Sequence, residues 1–307
     1  MTKRPIKNVA GSVHQRLLDV ARKADRRFND LAQHYAGERW LYRLSQSQHG
    51  ERFVLKGALL LLVWDTPITR PTRDIDLLGR VSNDLDSIRS VIAEVCETSV
   101  EDDGLVFDAK SVATERIAED ADYEGVRAKF HARLGNTRIA MQIDIGFSDV
   151  ITPGPVRISY PTILDQPTPG LHAYNRETAV SEKFEAMVKL GELNSRMKDF
   201  FDIWLLAGSF DFDGRTLAES IRRTFEQRQT SVETEPICFT DRFVMDPSKE
   251  GQWIAFVRRS RLAGAPKDLR TIIEPVRAFL KPPAASLAEQ RDFDKHWPPN
   301  GPWQPQS

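Results

Sequence analysis

Two runs of alternating residues on either side of Gly135 and Asn136 constrain this chain most. Before the turn, Val126, Ala128, Phe130, Ala132 and Leu134 alternate with Arg127, Lys129, His131 and Arg133; after it, Ile139, Met141, Ile143, Ile145 and Phe147 alternate with Arg138, Ala140, Gln142 and Asp144. Period two over such a length predicts a β-hairpin with one apolar face. A strand with so unbroken an apolar series belongs near the middle of a sheet, and Asp144 on its polar face needs a partner there.

Upstream, apolar spacing predicts an amphipathic helix over 13–36 and a short second helix over 39–44. A strand over 52–56, a turn at Gly57 and a buried helix over 58–64 follow. Residues 65–71 hold two prolines and read as a loop. Residues 73–78 alternate as a short strand, and a helix is expected over 85–96. Pro153, Pro155, Pro161, Pro167 and Pro169 punctuate a linker that is expected to end the sheet region. The period then becomes helical, with Val180, Phe184, Met187 and Val188 on one face, an apolar run over 198–206, and helices expected over 214–228, 251–262 and 266–280. Residues 281–307 carry six of the eighteen prolines and are expected to lie irregularly on the surface unless Trp297 and Trp303 dock. No internal repeat is visible. The chain reads as α+β, with a mixed sheet first and a mainly helical C-terminal half.

At 307 residues the chain is long enough for one or two domains. Its 43 basic and 44 acidic residues nearly cancel, which argues against a bulk polycation, but the charge is segregated. Residues 1–27 carry eight basic residues (among them Lys3, Arg4, Lys7, Arg16 and Arg22) against Asp19 and Asp25. Residues 253–281 carry seven against Asp268 and Glu274, and residues 81–124 hold thirteen carboxylates against three cations. The basic flanks read equally as solvated helix surface or as contacts to a phosphate backbone. Cys96 and Cys238 have no ligand-like spacing and suit free thiols in a reducing compartment. The longest apolar run, 58–64, is far short of the roughly 20 residues that span a bilayer. No signal segment is readable, so a cytoplasmic location without membrane contact is expected.

Asp74 and Asp76 lie two apart on a strand, so both carboxylates leave one face and repel unless a cation separates them. Mg²⁺, which takes one or two carboxylates and completes its shell with phosphate and water, is one solution. Neutralisation of a solvated edge by Arg70 and Arg73 is the other. If the Asp144 strand lies beside the Asp74–Asp76 strand, three carboxylates converge, as a two-metal phosphoryl- or nucleotidyl-transfer site requires. Gly57, after Lys56, opens a helix where backbone N–H groups could approach a phosphate, although a turn alone would also want glycine. Lys183 borders the buried face of its helix. Asp199 and Asp202 share a face at i, i+3 among large apolar residues, near Arg196. A buried ion pair joining two helices and a catalytic pair are both consistent with that arrangement.

Together the segments Lys56–Ala58, Arg70–Asp76, Gln142–Asp149, Ser181–Val188 and Asn194–Asp202 resemble the AbiEii-type nucleotidyltransferase toxins, which include the mycobacterial MenT group. The resemblance runs from about residue 52 to 206. It implies a polymerase-β-like nucleotidyltransferase core over 51–165 behind N-terminal helices at 1–50. A helical domain at 166–281 would complete the active site, and a proline-rich tail would occupy 282–307. It also implies Asp74, Asp76 and Asp144 as metal ligands, with Lys183 and Asp199 as further catalytic residues. Lys56, Gly57, Arg73, Lys183, Arg196 and Asp202 would bind the nucleotide. Mg²⁺ or Mn²⁺, an NTP substrate, an acceptor at the tRNA 3′ end and a cognate antitoxin encoded nearby are the expected cofactors and partners. One departure is Ala58 after Gly57, where the family often has a second glycine or a serine. Two alternatives use the same residues differently: a phosphotransferase acting on a protein partner, and a non-catalytic toxin–antitoxin interaction protein.

Overall fold

The alternating runs do form a hairpin: Tyr123–Leu134 and Thr137–Gly146 pair antiparallel, with Leu134 opposite Thr137 across a two-residue loop. Gly135 takes φ 57° at the first loop position, where primed hairpin turns need the left-handed region. The computed structural model describes residues 8–68, 70–120, 123–262 and 264–306. Lys3, Arg4 and Lys7 of the basic N-terminal stretch, and Asp122 of the acidic one, lie outside the described residues. The chain divides into two units. Unit 1 comprises Met1–Val63, Thr72–Ser148 and Arg157–Ala173; unit 2 comprises Trp64–Pro71, Asp149–Val156 and Tyr174–Ser307.

Unit 1 contains α1 (Val9–Lys23), α2 (Phe28–Gln46), β1 (Phe53–Lys56), α3 (Leu60–Val63), β2 (Ile75–Gly79), α4 (Leu85–Glu97), β3 (Leu105–Asp120), β4 (Tyr123–Leu134), β5 (Thr137–Gly146), β6 (Val156–Ser159) and β7 (Gly170–Ala173). Among the described residues these strands form one mixed sheet in the order β3-β4-β5-β2-β1-β7-β6. Strands β2 and β5 pair parallel, as do β1 and β7; β1 pairs antiparallel with β2, and β4 pairs antiparallel with both β3 and β5. The expected central place of the Asp144 strand is therefore found. Helices α1, α2 and α4 pack on strands of the β3–β4–β5 half. Leu17, Leu31, Tyr35, Trp40, Ile88 and Ile92 are buried with Phe130 and Ile143 of the apolar strand face. Each such side chain contributes about 1.5–3 kcal/mol.

Three expectations for this unit change. The helix over 13–36 and its short successor are instead α1 and α2, because Asp25 turns into the left-handed region at φ 48° and the Arg26 N–H closes back on Ala21 O at 3.0 Å. Strand β3 lies in what read only as an acidic stretch, and a bulge between Asp108 and Ala113 interrupts its alternation. The proline-punctuated linker contains β6 and leads into β7, so the sheet continues past it.

Unit 2 contains α5 (Arg176–Leu190), α6 (Met197–Ser209), β8 (Phe212–Asp213), α7 (Gly214–Gln227), α8 (Asp241–Val244), α9 (Pro247–Ser260), α10 (Leu269–Ala288), β9 (Lys295–Trp297) and β10 (Gln304–Pro305). Helix α5 packs on α7 and α6, and α10 packs on α6 and α7. The tail is not irregular. Helix α10 runs through Pro282 and Pro283, which have no N–H to offer the Phe279 carbonyl one turn back, and Trp303 Nε1 donates to that carbonyl at 2.8 Å instead. Trp297 Nε1 likewise donates to Ala207 O near the C-terminal end of α6 at 2.8 Å. Both tryptophans dock, stacking around Phe279. Cys96 and Cys238 are free and buried, and burial pushes both thiols up to about 12. Among the described residues no helix is long and apolar enough to cross a membrane.

Candidate active site

The strand registers of unit 1 set a row of charge across the sheet. Lys56 on β1 lies opposite Asp76 on β2, Asp76 opposite Asp144 on β5, Asp144 opposite Arg127 on β4, and Arg127 opposite Glu115 on β3. Directly opposed residues share a face, so the row runs plus, minus, minus, plus, minus, with Asp76 and Asp144 as adjacent like charges. Arg127 grips Asp144 with two hydrogen bonds, Nε at 2.8 Å and Nη2 at 2.7 Å, and Gln142 donates to the same carboxylate at 3.3 Å. The Asp144 bond is the first cause holding Arg127 above its usual pKa, with Asp74 adding to it. Asp144, 8% exposed, thus has the partner that a buried carboxylate requires.

Asp74 stands one residue before β2 and is half-buried, as is Asp76. Gly57 has φ 78° and lies so close to Asp76 that a Cβ there would sit 2.0 Å from Asp76 Oδ2. The turn therefore requires glycine on two counts, backbone conformation and close approach. Lys56 beside it is buried. Arg73 is exposed and bonds Asp30 at 3.2 Å. Among the described residues no three His, Cys, Asp or Glu side chains are grouped to hold a metal ion. Asp74 and Asp76 alone supply two carboxylates, the number that Mg²⁺ commonly takes from protein when phosphates complete its shell.

Unit 2 gathers the other expected residues. Asn175 caps α5 through a 2.8 Å bond from the Thr178 N–H, and Lys183 follows two turns later. Its ammonium meets Asp199 at 3.2 Å and Asp202 at 2.8 Å. Arg196 Nε donates to Asp199 at 2.6 Å, and Arg70 forks onto Asp202 at 2.8 and 2.9 Å. The turn carrying Arg196 is pinned by buried Lys249, which donates to Glu192 O at 2.6 Å and Asn194 O at 2.9 Å. Asp199 lies in the first turn of α6, where the helix dipole favours an anion. Burial works to raise both aspartates, but Lys183 with Arg196 holds Asp199 below the usual carboxylate range, and Arg70 with Lys183 holds Asp202 below it. Burial works to lower Lys183, and Asp202 and Asp199 reverse it, so its ammonium is held above its usual value.

Lys198 behaves oppositely. Burial, with Lys183, Arg196 and Arg70, outweighs Asp199 and lowers its pKa. Among the described residues no ion pair or hydrogen bond holds its ammonium. Arg70, Lys183, Arg196 and Lys198 thus gather four cations around the two carboxylates of Asp199 and Asp202. Three residues escaped the sequence reading: Arg127, Lys198, and Arg70 as the partner of Asp202. The first was accessible, because counting back along both hairpin strands from Leu134 and Thr137 brings Arg127 opposite Asp144.

A family profile described as "Nucleotidyl transferase AbiEii toxin, Type IV TA system" matches residues 39–278. No curated protein matches the sequence. Among solved structures, MenT4, a nucleotidyltransferase toxin from Mycobacterium tuberculosis, is similar at 14% identity and a TM-score of 0.50, over 92% of this chain and 90% of that one. JHP933 from Helicobacter pylori is similar at 11% identity and a TM-score of 0.45, over 84% and 91% of the two chains. The family match covers well over half of the chain and takes in both charged arrays. The chain belongs to the AbiEii nucleotidyltransferase toxin family, which brings with it an NTP substrate, a divalent metal and a partner antitoxin.

Proposed function

We propose that this protein is a Mg²⁺-dependent toxin that transfers a nucleoside monophosphate from an NTP to an RNA end, the 3′ end of tRNA, and so stops aminoacylation. The close approach of Gly57 to Asp76 carries the reading: it brings a glycine turn against one of two carboxylates able to share a metal ion. Asp74 and Asp76 would hold the metal, which when bound would neutralise triphosphate charge and favour the departure of pyrophosphate. Gly57 and the amides after it would cradle phosphate oxygens, with Lys56 and Arg73 beside them. Arg70, Lys183, Arg196 and Lys198 would offset phosphate charge, while Asp199 and Asp202 fix where those cations sit. Asp144 would orient Arg127 at the acceptor side of the strand pair; to ligate metal itself it would have to exchange Arg127.

In the reaction the acceptor hydroxyl oxygen bonds to the α-phosphorus and the bond from that phosphorus to the β-bridging oxygen breaks. Pyrophosphate leaves with the bonding pair, and the hydroxyl proton passes to water. Purified protein incubated with total tRNA, Mg²⁺ and each α-labelled NTP should transfer label to RNA, and EDTA or Asp76→Ala should stop it. Label arriving from the γ-phosphate, or on protein, would point to a phosphotransferase; no transfer with toxicity unchanged in Asp76→Ala would overturn the enzyme reading.

A further inference from the structure

Beside Asp74 the sheet of unit 1 opens into a cavity of about 490 Å³ that no residue above explains. Gln33 of α2, Arg73, Lys129, His131 and Gln142 line it with Asp74, and Ala113 and Ala140 are small, exposed residues among those long polar ones. Its volume falls in the range of pockets for nucleoside-sized ligands.

Two features of the strands create this space. Strand β2 reaches β5 only from Ile143 onward, so among the described residues no strand lies on that side of residues 137–142. An unpaired strand edge presents N–H and C=O groups to whatever lies beside it. The β3 bulge opposite supplies Ser111, whose hydroxyl accepts the His131 N–H at 3.0 Å where a regular ladder would use a carbonyl. Bulges interrupt a ladder in this way next to binding sites. The cations here are held loosely: Lys129 pairs with Glu115 at 2.6 Å and Arg73 with Asp30 at 3.2 Å, both exposed pairs worth little in water. A phosphate could replace either partner.

Sheet order gives the cavity its direction. Gly57 flanks the Asp74–Asp76 strand on the β1 side, and the cavity flanks it on the β5 side. Attacking and leaving oxygens lie roughly in line through the transferred phosphorus. With the triphosphate's leaving portion on the Gly57 side, the attacking hydroxyl enters from the β5 side.

We infer that this cavity seats the terminal nucleoside of a single-stranded acceptor RNA, an inference that rests on the nucleotidyl-transfer reading above. The Gln33 and Gln142 amides and the free β5 edge face the base, the two small alanines leave room for it, and Lys129 takes the phosphate behind it. The inference makes Gln33, Lys129, His131 and Gln142 positioning residues for the acceptor.

A short oligoribonucleotide ending in 4-thiouridine, irradiated with the full-length protein, should crosslink to peptides containing residues 129–142 or Gln33. Crosslinks confined to other peptides, or none, would overturn the assignment. Ala140→Trp, at an exposed strand position that tolerates an aromatic residue, should raise the KM for that oligoribonucleotide roughly tenfold or more while leaving the KM for NTP unchanged. An unchanged acceptor KM, or a rise in the NTP KM instead, would also overturn it. Lys129→Ala reads the same split should Ala140→Trp fail to fold. If the unsubstituted protein transfers no α-label to any RNA, the nucleotidyl-transfer reading fails, and the crosslink still judges the cavity separately.

Discussion

Unit 1 buries Asp103 between Arg39 and Arg43, and unit 2 buries Asp199 and Asp202 among Arg70, Lys183, Arg196 and Lys198. Arg43 grips Asp103 at 2.6 and 3.1 Å, and Arg39 reaches it at 3.1 Å. Two further donors go to carbonyls: Arg39 bonds Pro167 O at 2.7 Å, and Arg43 bonds Arg39 O at 3.1 Å. Tyr42 and Phe107 cover the two guanidinium planes. Arg39, Arg43 and Asp103 are all buried, so the triad is closed to a ligand. In unit 2 the side chains of Arg70, Lys183 and Arg196 are 11%, 15% and 33% exposed, and Lys198 is exposed with no bonded partner among the described residues. Burial of charge is common to both; what separates a brace from a binding surface is whether the cations are saturated and sealed.

The largest effect expected from this difference is on stability in unit 1. Asp103→Ala would strand two buried guanidiniums and should cost about 3–5 kcal/mol, read from the urea midpoint, while the folded fraction keeps its transfer activity. In unit 2 the order reverses. Lys183→Met leaves Asp199 with Arg196 and Asp202 with Arg70, so the midpoint should move little, whereas kcat/KM should fall roughly 10²–10³-fold. A large stability loss in Lys183→Met with activity intact per folded molecule would erase the distinction.

Acid and base should separate the units by a few kcal/mol. Burial raises Glu38 of unit 1 from its ordinary value to about 8, against the bond from the Ile163 N–H at 2.8 Å. A carboxyl raised in the folded state binds its proton more tightly there than in the unfolded chain. Its contribution to stability is therefore present below about pH 4.5 and is lost as pH rises through about 8. Asp199 and Asp202 are lowered, so theirs is present above the ordinary carboxylate value and is lost as pH falls through their folded values. Glu38→Gln should flatten the decline in urea midpoint between pH 5 and pH 8 and leave the acid limb in place. A wild-type midpoint that rises over that interval, with the same slope in Glu38→Gln, would show that Glu38 is not ionising there.

The site was legible in the sequence where chemistry and period coincide, and obscure where pairing decides. Asp74, Asp76 and Asp144 fall on polar positions of short alternating runs, and β2 does lie beside β5, but Arg127 takes Asp144, and among the described residues the three carboxylates form no group able to hold a metal ion. Lys183, Asp199 and Asp202 were legible as a set because charge among large apolar residues demands partners. Arg70 was not, since its closeness to Asp74 in sequence suggested that edge rather than Asp202. Strand β3 was hidden because its bulge breaks period two within a run of carboxylates. Proline suggested irregular chain over 281–307, but the carbonyl that Pro282 and Pro283 leave without its helical partner is supplied by an indole some twenty residues downstream, a contact that no local pattern encodes.

The smallest effect, and the sharpest test of the surplus-cation argument, belongs to Lys198. Lys198 is an exposed residue whose ammonium is lowered in pKa by its surroundings, with Lys183, Arg196 and Arg70 set against the attraction of Asp199, and it is bonded to nothing among the described residues, so its removal breaks no pair. Lys198→Ala should leave the urea midpoint unchanged or slightly higher. An incoming triphosphate, by contrast, loses one charge-assisted contact worth about 1.5–3 kcal/mol, so the KM for NTP should rise about tenfold or more. Lys198→Arg should recover most of that loss, since charge matters here more than shape. A lower midpoint with an unchanged NTP KM would make Lys198 part of the brace and remove the feature that sets unit 2's cluster apart from the sealed triad in unit 1.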